Sequence, residues 1–185
     1  MDETQPVEDE PVYTSVREPE TVYLPDTAPV ENYEQQKTVE PGWSEANGKI
    51  YYYNADGDLQ TGWLQLDGAW FYLNPETGEQ TNGWQKVGSV WYYLDEQTGV
   101  MTESGIMEID GETYYFYDWG GMASNCWYQT EDGRWYYFRG SGAMVKSAWV
   151  LWKEKWYYCG ADGVMLTDTV TPDGYRVDEN GVWVP

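Results

Sequence analysis

A unit of 20 to 22 residues recurs from Gly42 to the C-terminus, and it constrains the fold more than any other feature of the 185-residue chain. Successive units read GWSEANGKIYYYNADGDLQT, GWLQLDGAWFYLNPETGEQTN, GWQKVGSVWYYLDEQTGVMTE, GIMEIDGETYYFYDWGGMASN, CWYQTEDGRWYYFRGSGAMVKS and AWVLWKEKWYYCGADGVMLTD. The partial unit TVTPDGYRVDENGVWVP closes the chain. The lead positions are Trp43, Trp63, Trp84, Ile106, Trp127 and Trp149. Each unit predicts a β-hairpin: a short strand, a polar turn such as Asp67-Gly68, Asp110-Gly111 or Asp132-Gly133, then an aromatic triplet of high β-propensity. A second glycine turn, as at Asp56-Gly57, Thr98-Gly99 and Asp162-Gly163, ends the unit. One hairpin is not stable alone, whereas stacked hairpins can bury a shared aromatic core. The predicted fold is therefore all-β, a solenoid of stacked hairpin repeats over 42–185: six repeats plus a C-terminal partial repeat that acts as a cap.

Residues 1–41 differ in kind. They hold 11 acidic residues against Arg17 and Lys37, with Pro at 6, 11, 19, 25, 29 and 41. A stretch of this composition cannot bury enough apolar surface to offset its ordering entropy, so a disordered acidic linker or stalk is expected. Docking of this segment on the repeats or on a partner is the alternative. Its acidic start, MDETQPVEDEPVYTS, is not a signal-peptide pattern.

Composition then narrows the function. The net charge of −22 argues against nucleic acid and against an anionic membrane surface as partners. No apolar run is long enough for a membrane-spanning helix. The chain has no His, and its two cysteines, Cys126 and Cys159, do not form a CxxC motif. This leaves no His-based triad or zinc site, and the two thiols can pair or stay reduced. Asn54-Ala55-Asp56-Gly57-Asp58 only faintly resembles a calcium loop, because the downstream bidentate Glu is missing. Glu45 and Asp58 could be imagined as an acid–base pair, but nothing places them in a cleft. No catalytic residue, metal or cofactor is expected.

The chain holds 12 Trp and 18 Tyr but only 3 Phe, and such side chains suit wet recognition surfaces as well as cores. Alternation along a strand puts Trp91 and Tyr93 on one face and Tyr92 on the other, so each repeat offers aromatics to both neighbours. Rings converging at a junction would cage a quaternary ammonium through their quadrupoles. The second triplet tyrosines, assigned as Tyr53, Tyr72, Tyr93, Tyr115, Tyr137 and Tyr158, are expected in the core. Met101, Met122, Met144 and Met165 recur near the unit ends and can flank a cage or fill core space.

Units such as GWQKVGSVWYYLDEQTGVMTE and AWVLWKEKWYYCGADGVMLTD resemble choline-binding repeats of Gram-positive surface proteins and phage lysins. The resemblance covers 42–185. It implies a superhelical stack of hairpins with choline held between consecutive repeats, by the lead Trp and first triplet Trp of one repeat and the first triplet Tyr of the next. Carried over, the choline-binding sets are Trp63, Trp70 and Tyr92; Trp84, Trp91 and Tyr114; and Trp127, Trp135 and Tyr157. Trp149 and Trp156 are completed by Tyr175 of the cap. Two junctions depart from the pattern. The first has Trp43 with Ile50 and Phe71, and the fourth has Ile106, Thr113 and Tyr136; both are expected to be weak or empty.

The resemblance implies a secreted or cell-surface, non-catalytic module that anchors to choline-bearing cell-wall glycopolymers such as teichoic acid. A second reading is a glucan- or glycan-binding repeat domain like those of glucosyltransferases and clostridial toxins, with Trp and Tyr stacking on sugar faces. A third is a stalk that displays residues 1–41. Exposed aromatic edges at the solenoid ends leave a homodimer open.

Overall fold

A computed structural model describes residues 39–185. The expected disordered linker over 1–41 lies almost wholly outside the described residues. The chain divides into residues 1–37 and residues 38–185, and every element below belongs to the second unit.

All regular elements of the described residues are strands, twelve of them paired as six antiparallel hairpins. They are β1 (Gly42–Ala46) with β2 (Lys49–Tyr53), β3 (Gly62–Leu66) with β4 (Ala69–Leu73), and β5 (Gly83–Val87) with β6 (Val90–Leu94). Next come β7 (Gly105–Ile109) with β8 (Glu112–Phe116), β9 (Cys126–Gln129) with β10 (Trp135–Phe138), and β11 (Ala148–Trp152) with β12 (Lys155–Cys159). Each hairpin is a separate two-stranded sheet, so stability must come from contacts between repeats. The partial unit forms a three-stranded sheet of β13 (Thr169–Val170), β14 (Arg176–Val177) and β15 (Trp183–Val184). The predicted all-β class, built of hairpin pairs, is present.

The hairpin turns follow local chemistry. Asn47-Gly48, Asp67-Gly68 and Asp110-Gly111 have positive φ at both central residues, the geometry whose twist matches that of the flanking strands. Lys153-Glu154 adopts the same geometry, at φ 46° and 65°, without a residue that favours it. The turn at Asp132-Gly133 belongs to a longer loop that Thr130 N–H closes onto the Arg134 carbonyl.

Register is the same in every repeat. Trp43 opposes Tyr52, Trp63 opposes Tyr72, Trp84 opposes Tyr93, Ile106 opposes Tyr115, Trp127 opposes Tyr137, and Trp149 opposes Tyr158. This corrects one sequence assignment. Tyr52, not Tyr53, is the equivalent of Tyr72, because the first repeat carries three consecutive tyrosines and the pattern alone leaves their register open. Of the tyrosines expected in the core, Tyr72, Tyr137 and Tyr158 are buried, while Tyr93 and Tyr115 are half-buried. The deepest column is instead the residue after the triplet: Leu73, Leu94, Phe116, Phe138, Cys159 and, in the cap, Val177 are all fully buried.

Two contacts lock each repeat to the next. The residue that bridges the end of the hairpin sends its N–H back to the first triplet residue of the preceding repeat: Gln80 to Ile50, Met101 to Trp70, Met122 to Trp91, Met144 to Thr113 and Met165 to Trp135, at 2.7–2.8 Å. Its side chain then reaches forward beneath the turn glycine of the following repeat. A Cβ on Gly78 would lie 2.7 Å from Leu59 Cδ2, and one on Gly181 would lie 2.8 Å from Met165 Cε. At Gly99, Gly120, Gly142 and Gly163 a Cβ would overlap Gln80, Met101, Met122 and Met144 still more severely. The methionines are therefore seats for the next repeat as well as core.

Cys126 and Cys159 form no disulfide, and burial pushes the Cys159 thiol up to about 12. A folded-state value above the unfolded one stabilises the fold fully below the ordinary thiol range near 9.0 and loses that contribution as pH rises toward 12. Cys159 is accordingly expected to react with Ellman's reagent at pH 8 only after denaturation, and stability to urea is expected to fall above pH 9. Substitution of Gly142 by Ala combines a Met122 overlap with φ +86° and should cost more than Gly174→Ala, which meets open space at φ +91°. The expected losses in urea melts are about 2–4 kcal/mol and about 1–2 kcal/mol respectively. Replacing Lys153-Glu154 by Asn-Gly should raise stability by about 1 kcal/mol, read as a higher melting temperature.

Candidate ligand cages between repeats

Strand alternation decides which rings can meet. In repeat 3, Trp84 and Lys86 of β5 oppose Tyr93 and Trp91 of β6, so these four share one face of the hairpin and Tyr92 points to the other. Trp84 lies 5.1 Å from Tyr93 across the strands and 6.4 Å from Trp91 on the diagonal, nearly perpendicular at 87°. The face is then closed from the next repeat, where Tyr114 stands 4.8 Å from Trp84. Tyr92 does the same for the preceding repeat, 4.8 Å from Trp63, which meets Trp70 at 6.3 Å and 89°. The two perpendicular indoles and the tyrosine of the next repeat thus recur as one constellation.

Met122 supplies a further wall. Trp84, Trp91, Tyr114, Met122 and Ser141 line a cavity of about 310 Å³. The Met122 N–H bond to the Trp91 carbonyl, 2.8 Å, anchors that wall to the indole's own strand. The Lys86 ammonium lies 5.7 Å from the Trp91 ring centroid, so this indole already takes a cation from its own repeat.

At the end of the stack Trp149, Trp156, Tyr175, Trp183 and Asp173 line a larger cavity of about 460 Å³. Tyr175 lies 5.9 Å from Trp149 and 6.4 Å from Trp183. The Trp149 indole N–H donates to Asp173 Oδ2 at 2.8 Å, and the Thr171 hydroxyl donates to Asp173 Oδ1 at 2.6 Å. These two hydrogen bonds hold the Asp173 carboxyl below its usual range. In the third predicted set, Trp127 and Tyr157 are 5.4 Å apart, and Trp135 is 37% exposed.

The two divergent junctions look different. At the first, Trp43 meets Phe71 at 5.0 Å, but the position of the second indole is held by the exposed Ile50. At the fourth, Ile106 is exposed and Tyr136 is buried against Ala123, Phe138 and Met144. Thr113 is buried and receives a hydrogen bond from the Lys146 ammonium at 2.8 Å. Isoleucine and threonine thus stand where the other junctions present indoles, and Lys146 bonds the threonine.

Sequence reasoning missed the cavity-lining Ser141, Asp173 and Trp183 and the neighbouring Trp119. Trp183 takes the place in the cap that Met165 holds in repeat 6, a substitution visible only once the cap turn at Gly181 is aligned with the turn at Gly163. Asp173 was hidden as an ordinary turn acid. Trp119 sits in the second turn of repeat 4, outside the repeat pattern. It stacks on Tyr117 at 5.6 Å and meets Tyr92, the closing ring of the second junction, at 6.2 Å. The loop that faintly resembled a calcium site is an Asx turn, in which Asn54 Oδ1 accepts from the N–H groups of Asp56 and Asp58.

Comparison with known proteins places these features in a family. Two family models, both described as choline-binding repeat, match residues 41–81, 61–105 and 103–149 in one case and 151–183 in the other. Among solved structures, CbpJ from Streptococcus pneumoniae TIGR4 aligns with a TM-score of 0.70 and 37% identity over 78% of this chain and 48% of that one. Choline binding protein F from Streptococcus pneumoniae aligns with a TM-score of 0.70 and 35% identity, again over 78% and 48%. Its structure in the presence of a peptidoglycan analogue, a tetrasaccharide-pentapeptide, aligns at 0.69 and 32% over 83% and 52%. The chain therefore spans about half the length of these relatives. A comparison with curated protein sequences finds no match. Repeat pattern, hairpin stack and matched models agree: the chain belongs to the choline-binding repeat family.

Proposed function

We propose that residues 42–185 are a non-catalytic module that holds a bacterial cell surface by caging the choline groups of its wall polymers, teichoic acids foremost. The observation that carries this reading is the repeated constellation of two perpendicular indoles closed by a tyrosine from the next repeat, at 4.8 Å in two successive junctions. A trimethylammonium group is too weakly hydrated to demand hydrogen bonds, and three ring faces supply what it lacks. At about 0.5–2 kcal/mol per ring, such a cage holds one choline with a dissociation constant on the order of millimolar. Weakness per site suits a polymeric ligand, since cages strung along one polymer raise the overall affinity by about 10²–10⁴ without any new contact.

The proposed sites are Trp63, Trp70 and Tyr92; Trp84, Trp91 and Tyr114; Trp127, Trp135 and Tyr157; and Trp149, Trp156 and Tyr175. The first and fourth junctions serve as spacers in this reading. Their stacking contacts, the Gln80–Ile50 and Met144–Thr113 hydrogen bonds, match those elsewhere, while their aromatic walls are incomplete.

Tryptophan fluorescence titrated with choline should change saturably in the millimolar range and stay flat with glucose oligomers. Trp91→Ala combined with Trp156→Ala should abolish retention on a choline-bearing matrix that holds the unmutated protein. Failure of the unmutated protein to be retained, or a response to glucose oligomers that choline does not compete, would overturn the reading.

A further inference from the structure

The second turn of repeat 4 departs from the other units at two positions at once. The residue before the turn glycine is Asp56, Thr77, Thr98, Ser141, Asp162 or Asn180 elsewhere, and Trp119 in repeat 4. The residue after that glycine has a side chain in every other unit, from Asp58 in the first to Val182 in the cap; in repeat 4 it is Gly121. The two departures meet in space. The Trp119 ring lies across Gly121 so closely that a Cβ there would stand 1.8 Å from Cη2 of the indole. Gly121 has no positive φ, so this glycine serves the ring and not the backbone. Trp119 is 49% exposed, lies parallel to Tyr117 within 6°, and meets Tyr92 at 76°.

We infer that Trp119 is a fourth ring of the second cage, that of Trp63, Trp70 and Tyr92, so that repeats 2, 3 and 4 all supply rings to one site. This rests on the choline reading above and adds a contact residue to it. The placement follows from the third cage, whose cavity is lined by Trp84, Trp91, Tyr114, Met122 and, from two repeats further on, Ser141. Ser141 arrives there because Gly142 sits on Met122, whose N–H bonds the Trp91 carbonyl. The same chain of contacts runs one repeat earlier. Gly120 sits on Met101, and the Met101 N–H bonds the Trp70 carbonyl at 2.7 Å. Trp119 therefore holds at the second cage the place that Ser141 holds at the third, and its ring reaches Tyr92, the ring that closes this cage on Trp63. A serine side chain offers a quaternary ammonium little. An indole adds quadrupole attraction and apolar cover. The stack on Tyr117 fixes the ring in advance, so little ordering entropy is lost on binding.

The test titrates the full ¹⁵N-labelled chain with choline. Indole N–H signals report each cage, and nuclear Overhauser effects from the choline methyl protons report direct contact. Expected are such contacts to the rings of Trp63, Trp70 and Trp119 at the second cage, and to Trp84 and Trp91 at the third. Trp119→Ser copies the residue that repeat 5 carries at this place. It should weaken choline at Trp63 and Trp70 by about three- to thirtyfold and leave Trp84 and Trp91 unchanged. Gly121→Ala keeps the indole but drives it from its seat, and it should weaken the same site while sparing the third cage. A second cage indifferent to both substitutions overturns the inference. So does a weakening with no choline contact at Trp119, which would make the ring a prop for Tyr92 rather than a wall. Silence of Trp63 and Trp70 while Trp84 and Trp91 respond overturns the inference alone and leaves the choline reading standing. Silence of every indole overturns both.

Discussion

Everything in this stack depends on how one repeat seats the next. A two-stranded hairpin buries too little to persist alone, so each must borrow its neighbours. The residue that closes a hairpin does this in both directions. Its N–H returns to the preceding repeat's triplet carbonyl, and its side chain lies under the following repeat's turn glycine. The glycine is needed twice over, for its positive φ and for the missing Cβ. Methionine suits the seat because its unbranched thioether can follow the glycine backbone closely. Gln80 performs both tasks in the second repeat, and Leu59 performs the forward one in the first.

The ring constellations follow from this lock rather than from any dedicated pocket. Because the closing residue bonds the carbonyl of the first triplet position, the indole there is held at a fixed offset from the next repeat. Strand alternation turns the next triplet's first tyrosine toward it. One geometry therefore recurs at each junction, and the residues set into it decide its chemistry. Two indoles and a tyrosine make an aromatic pocket. A threonine at the second indole position makes a polar contact instead, as Thr113 does with Lys146. A tryptophan in the methionine's place, with an aspartate from a shortened hairpin, makes the wider cavity at the end of the stack.

Much of this was legible in the residues. The period, the aromatic triplets and the Asp-Gly and Asn-Gly turns are local signals, and they specify hairpins because each acts within about ten residues. The lead and first triplet tryptophans could be matched across repeats, and the rings of Trp63 and Trp70 and of Trp84 and Trp91 meet at 6.3 Å and 6.4 Å. Tyr53 was misplaced by one position because three identical side chains in a row carry no register information; only pairing with Trp43 resolves it. Trp119 and Trp183 were missed for different reasons. Trp119 lies outside the repeating positions and meets Tyr92 of another repeat, and Trp183 stands at a position that methionine holds in the preceding repeat, where no ring is expected.

The sequence by itself determined the hairpin, the repeat number and the aromatic inventory, because turn chemistry and strand alternation are local effects. It also determined that the first and fourth junctions would lack a full set of indoles. The tertiary structure alone decided that the fully buried column is the residue after the triplet, that the methionines are seats for glycines, and that Asp173 faces a cavity while Asp132 faces an arginine. The two aspartates sit in turns of the same local pattern. What separates them is whether the residue closing the loop is a cation or a ring, and which neighbour that ring meets, and this is settled only by stacking one repeat on the next.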